Sequence, residues 1–156
     1  MNMSFRIRGL SIAFLFLVGC EGTMAPIVDI YDKHPNSELT LEQTTNAIKV
    51  AAVAAGWLVE PISENQMRAI YRIRKHTVIV MIDYSTDDYS IRYDSSFHMK
   101  VKCEAQLDPR IQPTVTSGDD SCPGGAAPTF IHKNYNAWVG NLNNAIKSTL
   151  TYLSAN

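Results

Sequence analysis

The sequence predicts a two-layer α+β domain: an antiparallel β-meander of three to four strands with two helices on one face, in the order helix–strands–helix. Three observations predict it. A capped helical pattern runs from Thr40 to Gly56, and alternating or β-branched runs fill 57–93. A long apolar stripe then covers Ile131 to Leu153 at three- and four-residue spacing. The connections inside the middle block are too short for anything but antiparallel neighbours. One helix before the meander and one after it place both over a single sheet face.

The first element is not part of that domain. Met1 to Gly9 carries Arg6 and Arg8 and no acid, and Leu10 to Val18 is apolar apart from Ser11. A positive segment followed by so short an apolar run reads as a secretory signal over 1–19, because a bilayer-spanning helix needs roughly 20 apolar residues. The run closes on Leu17-Val18-Gly19-Cys20, which resembles the bacterial lipoprotein processing box. There the small Gly19 admits the peptidase and the Cys20 thiol carries the lipid. One acyl chain holds a protein only marginally, at roughly 0.8 kcal/mol per buried methylene. Bacterial lipoproteins generally carry three, which makes the anchor permanent. Glu21 follows the cysteine, where an Asp favours inner-membrane retention, so the expected location is the outer membrane with the domain facing the periplasm.

Removing 1–19 from the 156 residues leaves 137, with 12 basic against 15 acidic residues. A chain of this size buries about two thirds of its unfolded surface and folds unaided. Residues 20–38 show no convincing periodicity and include Gly22, Pro26 and Pro35, so they are expected to be a lipidated tether, with a short strand at Ile27–Tyr31 as the alternative. The single domain is expected over 39–156.

Thr40 followed by Gln43 has capping-box spacing. Leu41, Thr44, Ile48, Ala51, Ala52 and Ala55 recur at helical spacing, and Gly56 is placed to stop the helix. Trp57-Leu58-Val59 opens a short strand that Pro61 is expected to end. Met67 to Arg74 alternates, and Thr77 to Tyr84 is dense enough in β-branched residues to be a central strand. Ser85 to Asp88 is turn chemistry, and Tyr89, Ile91 and Tyr93 share one face of the next strand. The last helix presents Ile131, Tyr135, Trp138, Leu142, Ala145, Ile146, Thr149, Leu150 and Leu153 on one stripe.

Cys103 to Pro128 separates the last strand from that helix and holds four prolines and three glycines. A loop this long within a small domain calls for a staple. With Cys20 lipidated, Cys103 and Cys122 have only each other as partners in an oxidising compartment. The rival reading, a zinc site from Cys103, Cys122, His98 and His132, lacks any CxxC or HxxxH spacing.

Composition narrows the function classes. Apolar residues make up 46% and charged residues 19%, and the formal charge is −1, so a domain built to grip nucleic acid is excluded. His34, His76, His98 and His132 fall in no ligand motif, and no metal is expected. Ser95-Ser96 lacks a GxSxG or SxxK context, Asp87-Asp88 reads as a solvated turn, and no glycine-rich loop precedes a helix. No catalytic residue and no cofactor is therefore assigned, and an unrecognised hydrolase is the third-ranked reading. Arg68, Arg72 and Arg74 share the alternation of one strand, with Arg92 on a strand able to join the same sheet. They either solvate the uncovered sheet face or form a cationic surface for lipid phosphate, peptidoglycan carboxylate or an acidic partner.

Four stretches carry a resemblance: Gly56-Trp57, Arg74-x-His76, Tyr89-Ser90-Ile91-Arg92-Tyr93, and Ile131-His132-x-Asn134-Tyr135-Asn136-x-Trp138. On these, from about Thr40 to Leu150, the chain resembles a family of small proteobacterial lipoproteins. The resemblance implies secretion, lipidation and the helix–meander–helix order, and carries over no activity and no catalytic residue. Physically, Gly56, Trp57, His132, Tyr135, Asn136 and Trp138 read as a packing and capping device. The expected role is a non-enzymatic one, binding or supporting an envelope protein or peptidoglycan. A sensor or inhibitor acting through the arginine face is the second reading.

Overall fold

The computed structural model describes residues 23–34, 39–103, 120–122 and 125–155. The signal peptide and Cys20 lie outside the described residues, as do 104–119 of the cysteine-bearing insertion.

Helix α1 spans Leu41–Ala54, and its capping box is complete. Thr40 Oγ1 accepts the Gln43 N–H at 3.2 Å while Gln43 Oε1 accepts the Thr40 N–H at 2.8 Å. At the other end the Trp57 N–H reaches the Ala52 carbonyl at 2.9 Å and the Gly56 N–H reaches Val53 at 3.0 Å. This double closure needs a left-handed residue between helix and strand, and Gly56 supplies it at φ +85°.

Among the described residues there are seven strands: β1 Met24–Pro26, β2 Ile30–Lys33, β3 Leu58–Ser63, β4 Gln66–Ile73, β5 His76–Tyr84, β6 Asp88–Phe97 and β7 Phe130–His132. Five make one antiparallel sheet in the order β2-β6-β5-β4-β3, and β1 pairs with β7 in a second, two-stranded one. The fold is therefore α+β, with a sheet larger than the three to four strands expected. β5 is central, as its β-branched composition predicts. Of the additional strands, β1 and β2 come from the segment expected to be a tether, 20–38, and β7 from the expected start of the last helix; Ile30 pairs with Ile91, Asp32 with Tyr89 and Ala25 with Ile131. Segments of three and four residues have no periodicity of their own, and partners some sixty to one hundred residues away make them strands. β3 also runs past Pro61 instead of ending there, because an edge strand can direct the missing N–H outward; its register shifts between Pro61 and Ser63.

Helix α2 spans Asn134–Ser154. Ile131, expected at the head of its stripe, belongs instead to β7, and Leu153 is exposed. Tyr135, Val139, Leu142, Ile146 and Leu150 are the buried stripe. They close with Thr44, Ala47, Ile48, Ala51 and Ala52 of α1 over the sheet face that carries Met67, Ala69, Val78, Val80, Ile82, Tyr84, Tyr89 and Ile91. Three alanines on α1 let the helix lie close to its neighbours. No described helix is long and apolar enough to cross a membrane.

Cys103 and Cys122 form a disulfide with Cα atoms 5.7 Å apart. Both are buried, and the flanking backbone is held independently. Lys102 forms a bridge with Phe130, and Asp120 Oδ2 accepts from the Met99 N–H at 2.6 Å and from Ser96 Oγ at 2.9 Å.

Candidate functional site

The four arginines separate once register is known. Arg68 and Arg72 lie on the sheet face turned away from the helices, but β4 ends at Ile73 and Arg74 sits in the following turn at φ +55°. Arg92 joins the same face in one cross-strand row, Glu60–Arg68–Met81–Arg92. Acids interleave with these cations. Glu60 lies 3.9 Å from Arg68, and Asp83 accepts two hydrogen bonds from Arg92, the Nε one at 3.1 Å. Exposed pairs of this kind add at most about 1 kcal/mol to stability, yet they cancel the charge that a cationic binding face requires. Burial would raise the Asp83 carboxyl, but hydrogen bonds from Arg92 and Gln66 carry it below the usual carboxylate range. Tyr71 and Tyr84 belong to the helix-covered face. Tyr84 is buried, and Tyr71 packs between Trp57 at 5.1 Å and Trp138 at 5.2 Å.

The residues at the start of α2 have structural roles. His132 Nδ1 accepts the Asn134 N–H at 3.3 Å, so the imidazole satisfies one of the free amides of the first turn. Tyr135 is fully buried and meets the Tyr93 ring edge-on at 5.7 Å. Asn136 Nδ2 donates to the Pro26 carbonyl at 2.8 Å and its Oδ1 accepts the Val28 N–H at 3.4 Å. Asn136 thus ties down the link between β1 and β2, a contact over 110 residues that no local pattern announces.

The zinc reading of Cys103, Cys122, His98 and His132 is overturned, since the disulfide consumes both thiols. Among the described residues no group of three or more His, Cys, Asp or Glu is placed to hold a metal ion. His76 and His132 do come together, with ring centroids 6.5 Å apart, and His76 Nδ1 bonds the His98 carbonyl at 2.7 Å. Ser96 is buried, with Asp120 and Tyr93 as its hydrogen-bond partners.

A concavity lies at the opposite end of the sheet from these histidines. It is an open cleft of about 460 Å³ between the end of β2, the β3–β4 turn and the β5–β6 hairpin. Tyr31, Asp32, Asp83, Asp88 and Tyr89 line it, with Lys33 at its rim. Ser85 organises the hairpin, its Oγ accepting the N–H groups of Asp87 and Asp88 at 3.0 and 3.1 Å. Burial would raise the Asp32 carboxyl, but the hydrogen bond from Lys147 at 3.0 Å and the backbone N–H of Lys33 lower it. Asp32 is paired with Lys147, Asp83 with Arg92, and Tyr84 and Tyr89 are buried, so the cleft presents the exposed Tyr31 and Asp88 beside Lys33, polar groups suited to a ligand bearing hydroxyl groups. Sequence reasoning missed it because Asp32 and Tyr31 come from the presumed tether. No protein-family model matches the chain, and neither does any curated protein or solved structure.

Proposed function

We propose that the protein is a bacterial envelope lipoprotein, anchored through Cys20 to the outer membrane, whose periplasmic α+β domain binds or supports another envelope component without catalysing a reaction. The observation that supports this most is the cysteine pairing. Cys103 bonds to Cys122, as in proteins of oxidising compartments, and leaves Cys20 as the cysteine behind a short apolar leader. The family of small proteobacterial lipoproteins is the proposed relationship, carried by the motifs around Gly56, Tyr89 and Tyr135. Of the two candidate binding surfaces, the cleft beside Tyr31 and Asp88 is favoured over the arginine face, because Arg68 and Arg92 are paired with Glu60 and Asp83 and Arg74 lies in a turn, so the four arginines do not form one cationic strip.

The test is expression of the full chain in a Gram-negative host. The expected product starts at Cys20, carries acyl mass on that residue and fractionates with the outer membrane. Cys20→Ala stays unprocessed. A soluble product with an intact leader would refute the anchor. Crosslinking in intact cells then addresses the surface. Asp88→Lys is expected to reduce partner recovery and Arg72→Glu to leave it unchanged; the reverse would favour the arginine face.

A further inference from the structure

Antiparallel strands send their turns to two opposite ends of a sheet, and here the charges follow the turns. Acids collect at the cleft end: Glu64 in the β3–β4 turn, Asp83, Asp87 and Asp88 at the β5–β6 hairpin, and Asp32 at the end of β2. Lys33 and Lys147 lie among these acids, and a second set of cations collects at the other end. Arg74 and Lys75 form the β4–β5 turn, and Lys100 and Lys102 follow β6, all four exposed. The Lys102–Phe130 bridge and the His76–His132 stack draw these segments together. Burial first, and then the charges of His76, Lys100 and Lys133, hold the His132 imidazole below its ordinary range. Asp120 approaches this end, but its Oδ2 already accepts from Ser96 and the Met99 N–H.

The backbone at the cationic end is also unusual. Arg74, His98 and Lys100 are the non-glycine residues with positive φ among the described residues, at +55°, +58° and +54°. Left-handed turns normally select Gly or Asn, because a Cβ crowds the backbone there. Two of the four exposed cations thus occupy positions where glycine would be the easier residue. Strain of this kind concentrates at functional sites.

Thr23, three residues after Cys20 in the sequence, also lies at this end. The Thr23 carbonyl accepts the Lys133 N–H at 3.0 Å, and Met24 pairs with His132. Only Glu21 and Gly22 separate Thr23 from Cys20. Three residues of extended chain reach about 10 Å.

We propose that this cationic end docks on the anionic phospholipid headgroups of the bilayer that takes the Cys20 acyl chains, with Arg74, Lys75, Lys100 and Lys102 contacting phosphate. The inference rests on the lipid-anchor reading. The anchor supplies the attachment, so the cations need only orient the domain: tethering within a short span makes individually weak contacts effective. Docking at this end directs the acidic cleft away from the bilayer.

The experiment uses the full chain, processed and acylated in a Gram-negative host and reconstituted in two kinds of vesicle. One is pure phosphatidylcholine, and the other contains one third phosphatidylglycerol. Amide hydrogen exchange at 74–76 and 98–102 is expected to slow roughly three- to tenfold on the anionic vesicles only. The protection disappears in molar salt, where the Debye length falls to about 3 Å. The double variant Arg74→Gly/Lys100→Gly removes two charges and relieves two left-handed positions. It is expected to lose the protection while its urea midpoint stays equal or rises, so misfolding cannot mimic the result. Equal exchange on both vesicles, or protection that survives salt or the double variant, would overturn the inference. Intact mass separates the two levels: acylated Cys20 without protection overturns this inference alone, whereas unmodified Cys20 overturns the anchor and the docking together.

Discussion

The disulfide is the feature whose removal has the most calculable effect. Cys103 and Cys122 are 19 residues apart, and closing a loop of that length in the unfolded chain is worth roughly 3 kcal/mol. The native state offers no relief from that loss, since Lys102 and Asp120 already hold the two loop ends in place. The suitable perturbation is Cys103→Ala/Cys122→Ala, because serine would leave hydroxyls in buried sites. Trp57 and Trp138 pack against Tyr71 and report core integrity by fluorescence. With a urea m-value of about 1.5 kcal/mol/M for a small domain, the midpoint should fall by about 2 M. Dithiothreitol on the unmodified protein should reproduce the fall, and each single alanine variant should match the double. A shift below about 0.3 M in urea, with complete oxidation of the starting protein verified by thiol titration, would correspond to under about 0.5 kcal/mol. That result would refute the chain-entropy reasoning.

Two further perturbations test the core and its protonation. Gly56→Ala should destabilise the protein by about 1 kcal/mol, read as a lower thermal midpoint, because alanine is strained at φ +85°. The new Cβ would meet Tyr71 Cε2 at an ordinary 3.6 Å, so unchanged stability would contradict the left-handed cap. His34 is buried against Tyr89, and burial outweighs the nearby carboxylates of Asp88, Asp87 and Asp32 in lowering its pKa below 6.5. Its neutral form is the stable one in the fold, so the contribution is full above pH 6.5 and is lost as pH falls through the depressed value. An NMR titration should find the His34 midpoint below 6.5, and one at or above that value would contradict the assignment.

Helix α1 and strands β4 to β6 were legible because their signals are local: a Thr-x-x-Gln cap, a glycine stop, and alternation such as Tyr89-x-Ile91-x-Tyr93. Their burial follows that alternation. Strands β1, β2 and β7 were not legible, since Met24–Pro26 becomes a strand only when Phe130–His132 is beside it. The same limit applied to the surface. The spacing of Arg68, Arg72 and Arg74 suggested one cationic strip, but Asp83 reaches Arg92 from the neighbouring strand, and the chain turns at Arg74. The collection of Arg74, Lys75, Lys100 and Lys102 at one end depends on pairings that join distant segments. Tyr135 behaved as its helical spacing suggested, but His132 belongs to β7, and Asn136 bonds to the end of β1 and the link that follows it.

The pairing of Met24–Pro26 with Phe130–His132 has a temporal consequence. A polypeptide emerging amino end first cannot form this ribbon until Phe130–His132 has been made, immediately before α2 starts at Asn134. Until then Tyr135, Leu142 and Ile146 are missing, and the sheet face they cover lies bare. The growing chain thus lacks both its ribbon and the cover of its sheet until synthesis has passed residue 132.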